Sequence, residues 1–359
     1  MAFCQFTHAV LKGVAVTLGE TEHAFENEPV YYNHNEVLCR RLQKTIGFGR
    51  RRQARPETTT CDLCTDAAGR LFRALDISPE SIDAVISVTQ TPDYRLPGNA
   101  HVLHERLGLP KTAAAVDVEM GCSGFIYGLW LSYMMVSSGM GRVLLLTGDT
   151  LSKLIHPKDR TEAPLFGDAG AATLIERSET PSPSAFLLKS NGKGVPFLLQ
   201  PAGGHRCPSS EETRREKEDR DGSIRTDENI YMNGLEIFNF TLTEQPQMLS
   251  ELFEKTGKTP DGTDYFVFHQ ANSYIVQNLA KSAGLPMEKV PVVFPEYGNQ
   301  NSASIPGTLC GALSGKLEGR KRLLFQGFGI GLSWGACLLE TEGVTVLEPC
   351  VYAKEENHA

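Results

Sequence analysis

Residues 116–139 read VDVEMGCSGFIYGLWLSYMMVSSG, and they place a cysteine between a strand-like apolar run and a long apolar helix. Cys122 would open that helix, where the helix dipole and unpaired backbone N–H groups favour a thiolate and lower the pKa of the thiol. Gly121 and Gly124 would let a substrate or another backbone segment approach closely. Small buried cysteines are also common in protein cores. This segment alone therefore predicts either a nucleophile or a packing residue.

The rest of the chain alternates short apolar strands with helical stretches. Apolar runs closed by polar or turn residues predict strands at residues 84–90, 142–149, 170–176, 265–270 and 322–329. Helical spacing, with glycine at several ends, predicts helices at residues 98–110, 124–139, 272–286 and 304–319. This alternation indicates an α/β fold with largely parallel strands, covered by helices on both faces.

The order of these features occurs twice along the chain. Each half has a strand with a polar end, a helix closed by Gly-Leu-Pro, an apolar strand, a polar turn, a helix and another strand. This weak duplication predicts two related halves, residues 1–180 and residues 181–359, whose polar turns meet at the strand ends. A charged insertion near 204–229 interrupts the second half, and we expect it to be a solvated loop.

Composition excludes several classes of protein. The formal net charge of −8 argues against a general nucleic-acid binder, which would carry a basic stripe. No apolar run is long enough to span a bilayer and no leader is visible, so we expect no membrane association. Nine cysteines without a framework pattern suggest free thiols and a cytoplasmic location. The CDLC segment (residues 61–64) has no second matching pair, so we expect no metal site there.

Two further turns carry polar residues at corresponding strand ends. His269 ends the predicted strand in FVFHQAN (residues 266–272), where a core strand does not normally hold an ionisable side chain. Asn299 in PEYGNQNSASIPG (residues 295–307) takes the position in the second half that Cys122 takes in the first. A lone histidine is usually structural, and a Gly-Asn pair is usually only a turn. Their shared placement at strand ends favours one common site.

The same segments carry a resemblance to a known family. The chain resembles the ketosynthase III enzymes, the initiating β-ketoacyl-acyl-carrier-protein synthases of the thiolase superfamily. DVEMGCSGFIYGL is similar to their nucleophile motif, HQAN is their histidine motif, and YGNQNSASIP is similar to their asparagine motif. Matches at LFGDAGAATLIE, MNGLEIFNF and GFGIGLSWGACLL extend the resemblance over nearly the whole chain outside the insertion and the last residues. It implies a thiolase-like fold, in which duplicated α/β halves form αβαβα layers.

The resemblance also implies a catalytic triad of Cys122, His269 and Asn299. An acyl group would be loaded on Cys122, because a thiolate is a strong nucleophile and later a good leaving group. Decarboxylation of a malonyl thioester would then give an enolate for Claisen condensation, and neutral His269 and Asn299 would bind the enolate oxygen. The backbone N–H groups of Cys122 and Ile330 would form the oxyanion hole for the acyl thioester.

The resemblance also implies that residues at other positions contact substrates and partners. Asn272 matches a position near the pantetheine arm, and Leu96 falls where the family sends a loop across a homodimer into the partner's acyl pocket. Arg50, with the next two arginines, and Lys281 could meet the phosphates of coenzyme A or an acidic acyl carrier protein. The implied substrates are coenzyme A thioesters or acyl-carrier protein as primer and malonyl-carrier protein as extender. Neither a cofactor nor a metal is implied.

Two departures from the family pattern bear on the primer. The stretch at residues 40–53 has no aromatic residue before Phe48, where many enzymes that use a primer on coenzyme A have a tryptophan that stacks on adenine. Tyr274 stands where the family often has an arginine on the face that meets the carrier protein. A specialised role, such as supplying acyl groups for a secondary metabolite or a surface polysaccharide, is therefore as open as the initiation of fatty-acid synthesis.

Two alternatives to condensation stay open at this point. An acyltransferase would keep the acyl group on Cys122 and pass it to an alcohol or amine, and Asn299 counts against this since such transfer has less need of an enolate donor. A non-catalytic partner subunit of a heterodimer would typically lose its nucleophile, which Cys122 retains.

Overall fold

The computed structural model describes residues 2–354, which form helices, strands and short connecting turns. The helices are α1 (Glu36–Ile46), α2 (Thr60–Leu75), α3 (Asn99–Arg106), α4 (Gly124–Ser137), α5 (Gly234–Thr256), α6 (Ser273–Ser282), α7 (Phe294–Tyr297) and α8 (Ser304–Leu313). The strands are β1 (Ala2–Phe6), β2 (Ala9–Leu18), β3 (Thr21–Ala24), β4 (Arg50–Gln53), β5 (Ala84–Val88), β6 (Ala114–Val118), β7 (Arg142–Asp149), β8 (Ala169–Arg177), β9 (Ser184–Ser190), β10 (Leu198–Leu199), β11 (Lys217–Glu218), β12 (Ile224–Arg225), β13 (Tyr231–Met232), β14 (Tyr265–Phe268), β15 (Arg320–Gly329), β16 (Ser333–Glu342), β17 (Thr345–Val346) and β18 (Cys350–Val351).

Two large sheets share one pattern of strands. The first has the order β17-β2-β8-β7-β5-β6, with β18 also paired to β2, and the second has the order β1-β9-β16-β15-β14. In the first sheet β2, β8 and β7 pair antiparallel and β7 pairs parallel with β5. In the second, β9, β16 and β15 pair antiparallel and β15 pairs parallel with β14. This recurrence confirms the predicted fold of duplicated α/β halves.

Helices and sheets alternate in five layers. Helices α4 and α8 lie between the two sheets, where they share one apolar core with residues from both. Helices α2 and α3 cover the outer face of the first sheet, and α5 and α6 cover the outer face of the second. The layers therefore follow the predicted αβαβα order.

Two details of the predicted sheets are wrong. The sheets are mixed rather than largely parallel, because short connections such as residues 330–332 return β15 directly to β16 as an antiparallel hairpin. The apolar run after α6 does not form a strand, and it leads instead into α7. Pro291 and Pro295 flank this run, and each lacks the backbone N–H that a sheet ladder requires.

The division at residue 180 falls between β8 and β9, and as a domain boundary it stays a prediction. Strands from both ends of the chain cross it. β1 pairs with β9 in the sheet of the second half, while β17 and β18 pair with β2 in the sheet of the first half. The two halves are therefore tied together by exchanged strands as well as by the central helices.

The charged insertion lies between β10 and β13, which pair with each other. Its small hairpin of β11 and β12 presents Arg225, which forms ion pairs with the buried Asp159 and with Asp219. Ser223 and Thr213 are also buried. The insertion is mostly exposed, as expected, but Arg225 anchors it to residues 156–162 through the buried Asp159.

The CDLC cysteines lie on α2, and both are buried in the core beneath the first sheet. A capping box between Thr59 and Asp62 starts this helix, as its Thr-rich beginning suggests. Within residues 2–354, no cluster of three or more His, Cys, Asp or Glu side chains could hold a metal ion. None of the helices in these residues combines the length and the apolar character needed to cross a membrane.

Glu162 is a buried carboxyl group beside the insertion, and neither of its oxygens has a hydrogen-bond partner among the described residues. Burial, with the nearby negative charge of Asp159, raises the pKa of Glu162 to about 8 from its ordinary 4.5. Between these two pH values the unfolded chain loses a proton that the folded chain retains. The free energy of unfolding therefore falls as the pH rises through this window.

We expect Glu162→Gln to be more stable than the wild type at pH 8, because glutamine cannot ionise. The gain in free energy of unfolding should shrink as the pH falls from about 8 towards 4.5. Urea unfolding at several pH values measures this difference, and the exposed Glu211→Gln provides the matched control. A gain that does not change with pH would show that ionisation of Glu162 is not its cause.

Candidate active site

The ends of three elements meet at a cavity of about 420 Å³. Cys122, His269 and Asn299 all line this cavity, together with Phe328 and Gly329 at the end of β15. Cys122 lies in the turn between β6 and α4, His269 directly follows β14, and Asn299 lies between α7 and α8. The structure thus brings together the three residues that the sequence placed at corresponding strand ends.

The turn that carries Cys122 is tight. The N–H of Gly124, the first residue of α4, donates a 2.6 Å hydrogen bond to the carbonyl of Gly121. The Cys122 sulfur lies 3.0 Å from Oδ1 of Asn301 and donates a hydrogen bond to it. Its side chain is therefore fixed by a partner from the second half of the chain.

The predicted lowering of the Cys122 pKa is wrong for this structure. Burial raises the pKa of the thiol to about 12, and the negative charge of Asp149 acts in the same direction. Backbone N–H donation at Cys122 itself opposes this shift, as the position before a helix suggests, but it is the smaller effect. The sulfur touches the cavity, yet protein atoms surround it closely enough for burial to dominate.

His269 is held by the second sheet. Its backbone N–H donates a 2.8 Å hydrogen bond to Gln326 of β15, which continues the ladder beyond β14. Its ring packs edge-on against Phe328, with the ring centroids 5.5 Å apart. Burial lowers the pKa of His269 to about 3, with the Asn301 backbone acting weakly in the opposite direction. The imidazole is therefore neutral near pH 7, so one ring nitrogen carries a proton that it can donate.

Asn299 is fixed through both its backbone and its side chain. Its N–H donates to the carbonyl of Leu165 at 2.8 Å, and its carbonyl accepts from the N–H of Gly167 at 3.0 Å. Its Oδ1 accepts a hydrogen bond from the N–H of Asn301 at 2.9 Å. Because Oδ1 is occupied, the amide group Nδ2 is the part of Asn299 left to donate to a ligand.

The turn after β15 passes directly beside Cys122. A Cβ atom on Gly329 would lie 2.7 Å from Cys122 Cβ and 3.0 Å from its sulfur, so only glycine fits there without a shift. Ile330 follows Gly329, and its carbonyl accepts a hydrogen bond from the Ser333 hydroxyl, which also contacts the hydroxyl of Ser123. Ile330 therefore lies in a segment anchored to the nucleophile turn.

Comparison with known proteins identifies the family. Residues 116–192 match the family described as 3-oxoacyl-[acyl-carrier-protein] synthase III, and residues 253–341 match its C-terminal region. The chain is 36% identical over 297 residues to the β-ketoacyl-[acyl-carrier-protein] synthase III of Caldanaerobacter subterraneus, covering 82% of this chain and 87% of that protein. The chain belongs to the 3-oxoacyl-[acyl-carrier-protein] synthase III family.

Solved structures agree with this assignment. The 3-oxoacyl-(acyl-carrier protein) synthase from Burkholderia xenovorans superimposes with a TM-score of 0.91 at 37% identity, covering 98% of this chain and 99% of that one. The enzyme named β-ketoacyl-[acyl-carrier protein] synthase III from Thermus thermophilus gives a TM-score of 0.78 at 31% identity, covering 92% and 98%. The resemblance drawn from the sequence motifs and the thiolase-like fold are both confirmed.

Of the predicted contacts of this synthase III family member, only Asn272 lines the cavity. Asn272 caps α6, and its Oδ1 accepts a 2.8 Å hydrogen bond from the N–H of Ile275. Leu96 is 89% exposed and lies away from the cavity of its own chain. Arg50 and Lys281 are also exposed and lie outside the cavity wall.

The two arginines next to Arg50 are already paired. Arg51 is buried and forms two hydrogen bonds with the carboxylate of Glu28, while Arg52 pairs with Glu22. The cluster expected to meet phosphates is therefore reduced to Arg50. A run of like charges in a strand such as β4 alternates between faces, so one member faces inward.

Most of the cavity wall was not assigned to the site from the sequence. Tyr274 stacks on Phe238, with ring centroids 5.9 Å apart, and both residues line the cavity. Leu198 of β10 and Met232 of β13 line it from the stem of the insertion. The motifs MNGLEIFNF, LFGDAGAATLIE and GFGIGLSWGACLL all contribute to this wall, but nothing local shows that they meet at one cavity.

We expect Gly329→Ala to lose most acyl loading at Cys122, because its Cβ would force the sulfur from its present position. Misplacement of about 1 Å typically costs on the order of a hundredfold in rate. Mass measurement of the protein after incubation with an acyl thioester gives the result. Gly192→Ala is the control, since a Cβ at that position meets no atom within 4 Å. Normal loading by Gly329→Ala would contradict the close packing described here.

Proposed function

We propose that the protein is a 3-oxoacyl-acyl-carrier-protein synthase III that loads an acyl group on Cys122 and condenses it with a malonyl thioester. The observation that carries the proposal is the shared cavity of Cys122, a neutral His269 and the free amide group of Asn299. A thiol nucleophile beside two neutral hydrogen-bond donors suits a reaction that passes through two oxyanions.

The first step is transfer of the acyl group. The Cys122 sulfur attacks the carbonyl carbon of the donor thioester, the bond to the donor sulfur breaks, and the proton from Cys122 ends on the released thiol. Backbone N–H groups of Cys122 and Ile330 bind the oxyanion in this proposal. The anchoring of Ile330 through Ser333, and the close contact of Gly329 with Cys122, support their placement on the same side of the sulfur.

The second step is condensation. The malonyl thioester loses carbon dioxide, and the resulting enolate carbon attacks the acyl carbonyl on Cys122. The Cys122 sulfur leaves, so the product is a β-ketoacyl thioester and the enzyme is regenerated. We assign stabilisation of the enolate oxygen to His269 and Asn299. Because burial keeps the imidazole neutral, it donates a hydrogen bond without also protonating the enolate carbon.

We assign the wider cavity to the donor's pantetheine arm and the acyl chain. Its lining is mostly apolar, with Ile237, Phe238 and Ile275 along the walls, as suits an arm of methylene groups and amides. The amide group of Asn272 is left to donate, since its oxygen is engaged in capping α6. Lys281 and Arg50 are exposed cations that we assign to an acidic acyl carrier protein or to phosphates of coenzyme A.

We also propose a homodimer. β6 is the edge strand of the first sheet, so one side of its ladder is open to a second chain. The neighbouring helix α4 leaves Met134 exposed on an otherwise apolar helix, and Leu96 projects from the surface. Two-fold pairing is the commonest closed assembly. A cytoplasmic location and the lack of a cofactor stay predictions.

Replacement of His269 or Asn299, the proposed hydrogen-bond donors to the enolate, should slow decarboxylation more than acyl loading. We expect Asn299→Ala to accumulate acyl-Cys122 from a primer thioester but to release carbon dioxide from malonyl-carrier protein about a hundredfold to a thousandfold more slowly. His269→Ala should show the same split. Intact mass reports loading, and a carbon dioxide assay run in parallel reports decarboxylation.

Two controls make this test decisive. Cys122→Ala should load no acyl group, whereas replacement of Cys310, which is buried in the central core, should not prevent loading. A wild-type protein that loads a primer, passes it to an alcohol or amine, and never decarboxylates a malonyl donor would instead identify an acyltransferase.

The dimer has its own test. We expect sedimentation to give twice the 39.3 kDa mass of the chain. If Leu96 reaches the partner's acyl cavity, Leu96→Trp should shorten the longest primer that loads while leaving the sedimentation unchanged. Val195→Trp, at another exposed apolar position, should change neither property. A fully active monomer would contradict the assembly.

A further inference from the structure

Asn301 joins all three residues of the candidate triad. Its Oδ1 accepts the hydrogen bond from Cys122 Sγ at 3.0 Å, and its backbone N–H donates to Asn299 Oδ1 at 2.9 Å. Its backbone also faces His269, where it favours the protonated imidazole. Asn301 is only 2% exposed. The residue has a positive φ of 49°, a backbone conformation that asparagine adopts more readily than most residues.

The side chain of Asn301 is held from behind. Its Nδ2 donates a 3.3 Å hydrogen bond to Oε1 of Gln90. The backbone N–H of Gln90 in turn donates to Asp149 at 2.8 Å. A Cβ on Gly121 would lie 2.2 Å from Gln90 Oε1 and 2.9 Å from Asn301 Oδ1. Glycine at 121 therefore gives both amides room to approach the nucleophile turn.

The direction of the hydrogen bond between Cys122 and Asn301 determines its effect on ionisation of the thiol. An oxygen that accepts a hydrogen bond from S–H stabilises the neutral thiol and has nothing to donate to a thiolate. The other ionisable groups facing the sulfur are Asp149, at the end of β7, and His269, at the end of β14. Asp149 disfavours the thiolate when it is ionised, and the neutral His269 adds no charge.

We infer that Asn301 positions the Cys122 side chain and adds to the effect of burial in keeping its sulfur protonated in the enzyme without substrate. The inference rests on the proposed function, in which Cys122 is the residue that accepts the acyl group. It adds a residue that acts on the nucleophile itself, separate from the donors that bind the enolate. The acceptor must give up this hydrogen bond when the thiol loses its proton, so Asn301 makes ionisation of Cys122 less favourable than burial alone would.

The test is the pH dependence of alkylation of Cys122 by iodoacetamide, measured by peptide mass from pH 7 to pH 10. Asn301→Gly removes the acceptor and suits the positive φ at this position. We expect this variant to be alkylated up to about tenfold faster than the wild type throughout this range, which lies below the wild-type midpoint and so corresponds to a shift of the curve to lower pH by up to about one unit. Asn301→Asp, whose carboxylate only accepts, should move the curve to higher pH.

The control is Asn239→Ala, at an exposed position on α5, which should leave the curve in place. An unchanged curve in Asn301→Gly would overturn the inference, and so would a shift to higher pH, which would mean that the amide group donates to the sulfur. If Asn301→Gly does not fold, Asn301→Ala, which also removes the acceptor without adding a charge, takes its place in the same comparison.

Acyl loading keeps this test separate from the proposed function. A wild type that loads no acyl thioester, together with a shifted curve in Asn301→Gly, would refute the proposed function and leave the control of ionisation by Asn301 standing. A wild type that loads normally, together with an unchanged curve in Asn301→Gly, would support the proposed function and refute the control of ionisation by Asn301.

Discussion

Helix α4 is packed on both sides by sheets, and the site depends on this arrangement. Phe125, Ile126 and Leu129 of α4 are fully buried in the core that both sheets share. The helix can approach so closely because β15 carries glycine at alternate positions on the face that meets it. A Cβ on Gly327 would lie 3.0 Å from the Cys122 carbonyl, and one on Gly329 would meet the Cys122 side chain. Alternate residues of a strand lie on the same face of the sheet. Gly327 and Gly329 therefore leave this face of β15 without side chains where the start of α4 packs against it.

Burial at this junction gives both ionisable members of the triad their neutral forms. For His269 the neutral form is useful, because an enolate oxygen needs a donor that does not become a proton source. For Cys122 the neutral form opposes the attack that loading requires. Loading therefore requires that Cys122 lose its proton before or as its sulfur attacks the donor carbonyl. A thiol that is unreactive without substrate is also protected from adventitious oxidation.

Local pattern predicted the elements of this fold well. The four helices and the five strands whose bounds were predicted all occur, whereas the further strand expected after α6 does not, and His269 and Asn299 were placed with Cys122 from their corresponding positions in the two halves. The direction of strand pairing was predicted wrongly, because it depends on connections whose length alone does not fix their path. The predicted direction of the pKa shift of Cys122 was wrong for a similar reason. A helix start is visible in sequence, whereas the atoms that bury a side chain come from β15 and from Asn301, far away along the chain.

The residues that sequence analysis missed are those whose partners are distant. Asn301 stands inside a motif that the sequence analysis quoted, yet nothing local shows that its amide faces the sulfur rather than solvent. The ion pair of Arg225 with Asp159 was hidden in the same way, because a charge run looks solvated until its partner is known. Patterns of period two or four report which face of an element is buried, but not which distant polar group meets it.

The cavity therefore has two kinds of wall. Cys122, His269 and Asn299 lie at the ends of elements that both sheets support, so the central packing fixes where their backbones lie. Leu198 and Met232 lie instead on the two-residue ladder of β10 and β13, at the base of an insertion held mainly by polar contacts. Sequence change in the insertion can reshape this second wall without moving the triad. The insertion is therefore connected to the cavity wall through this stem.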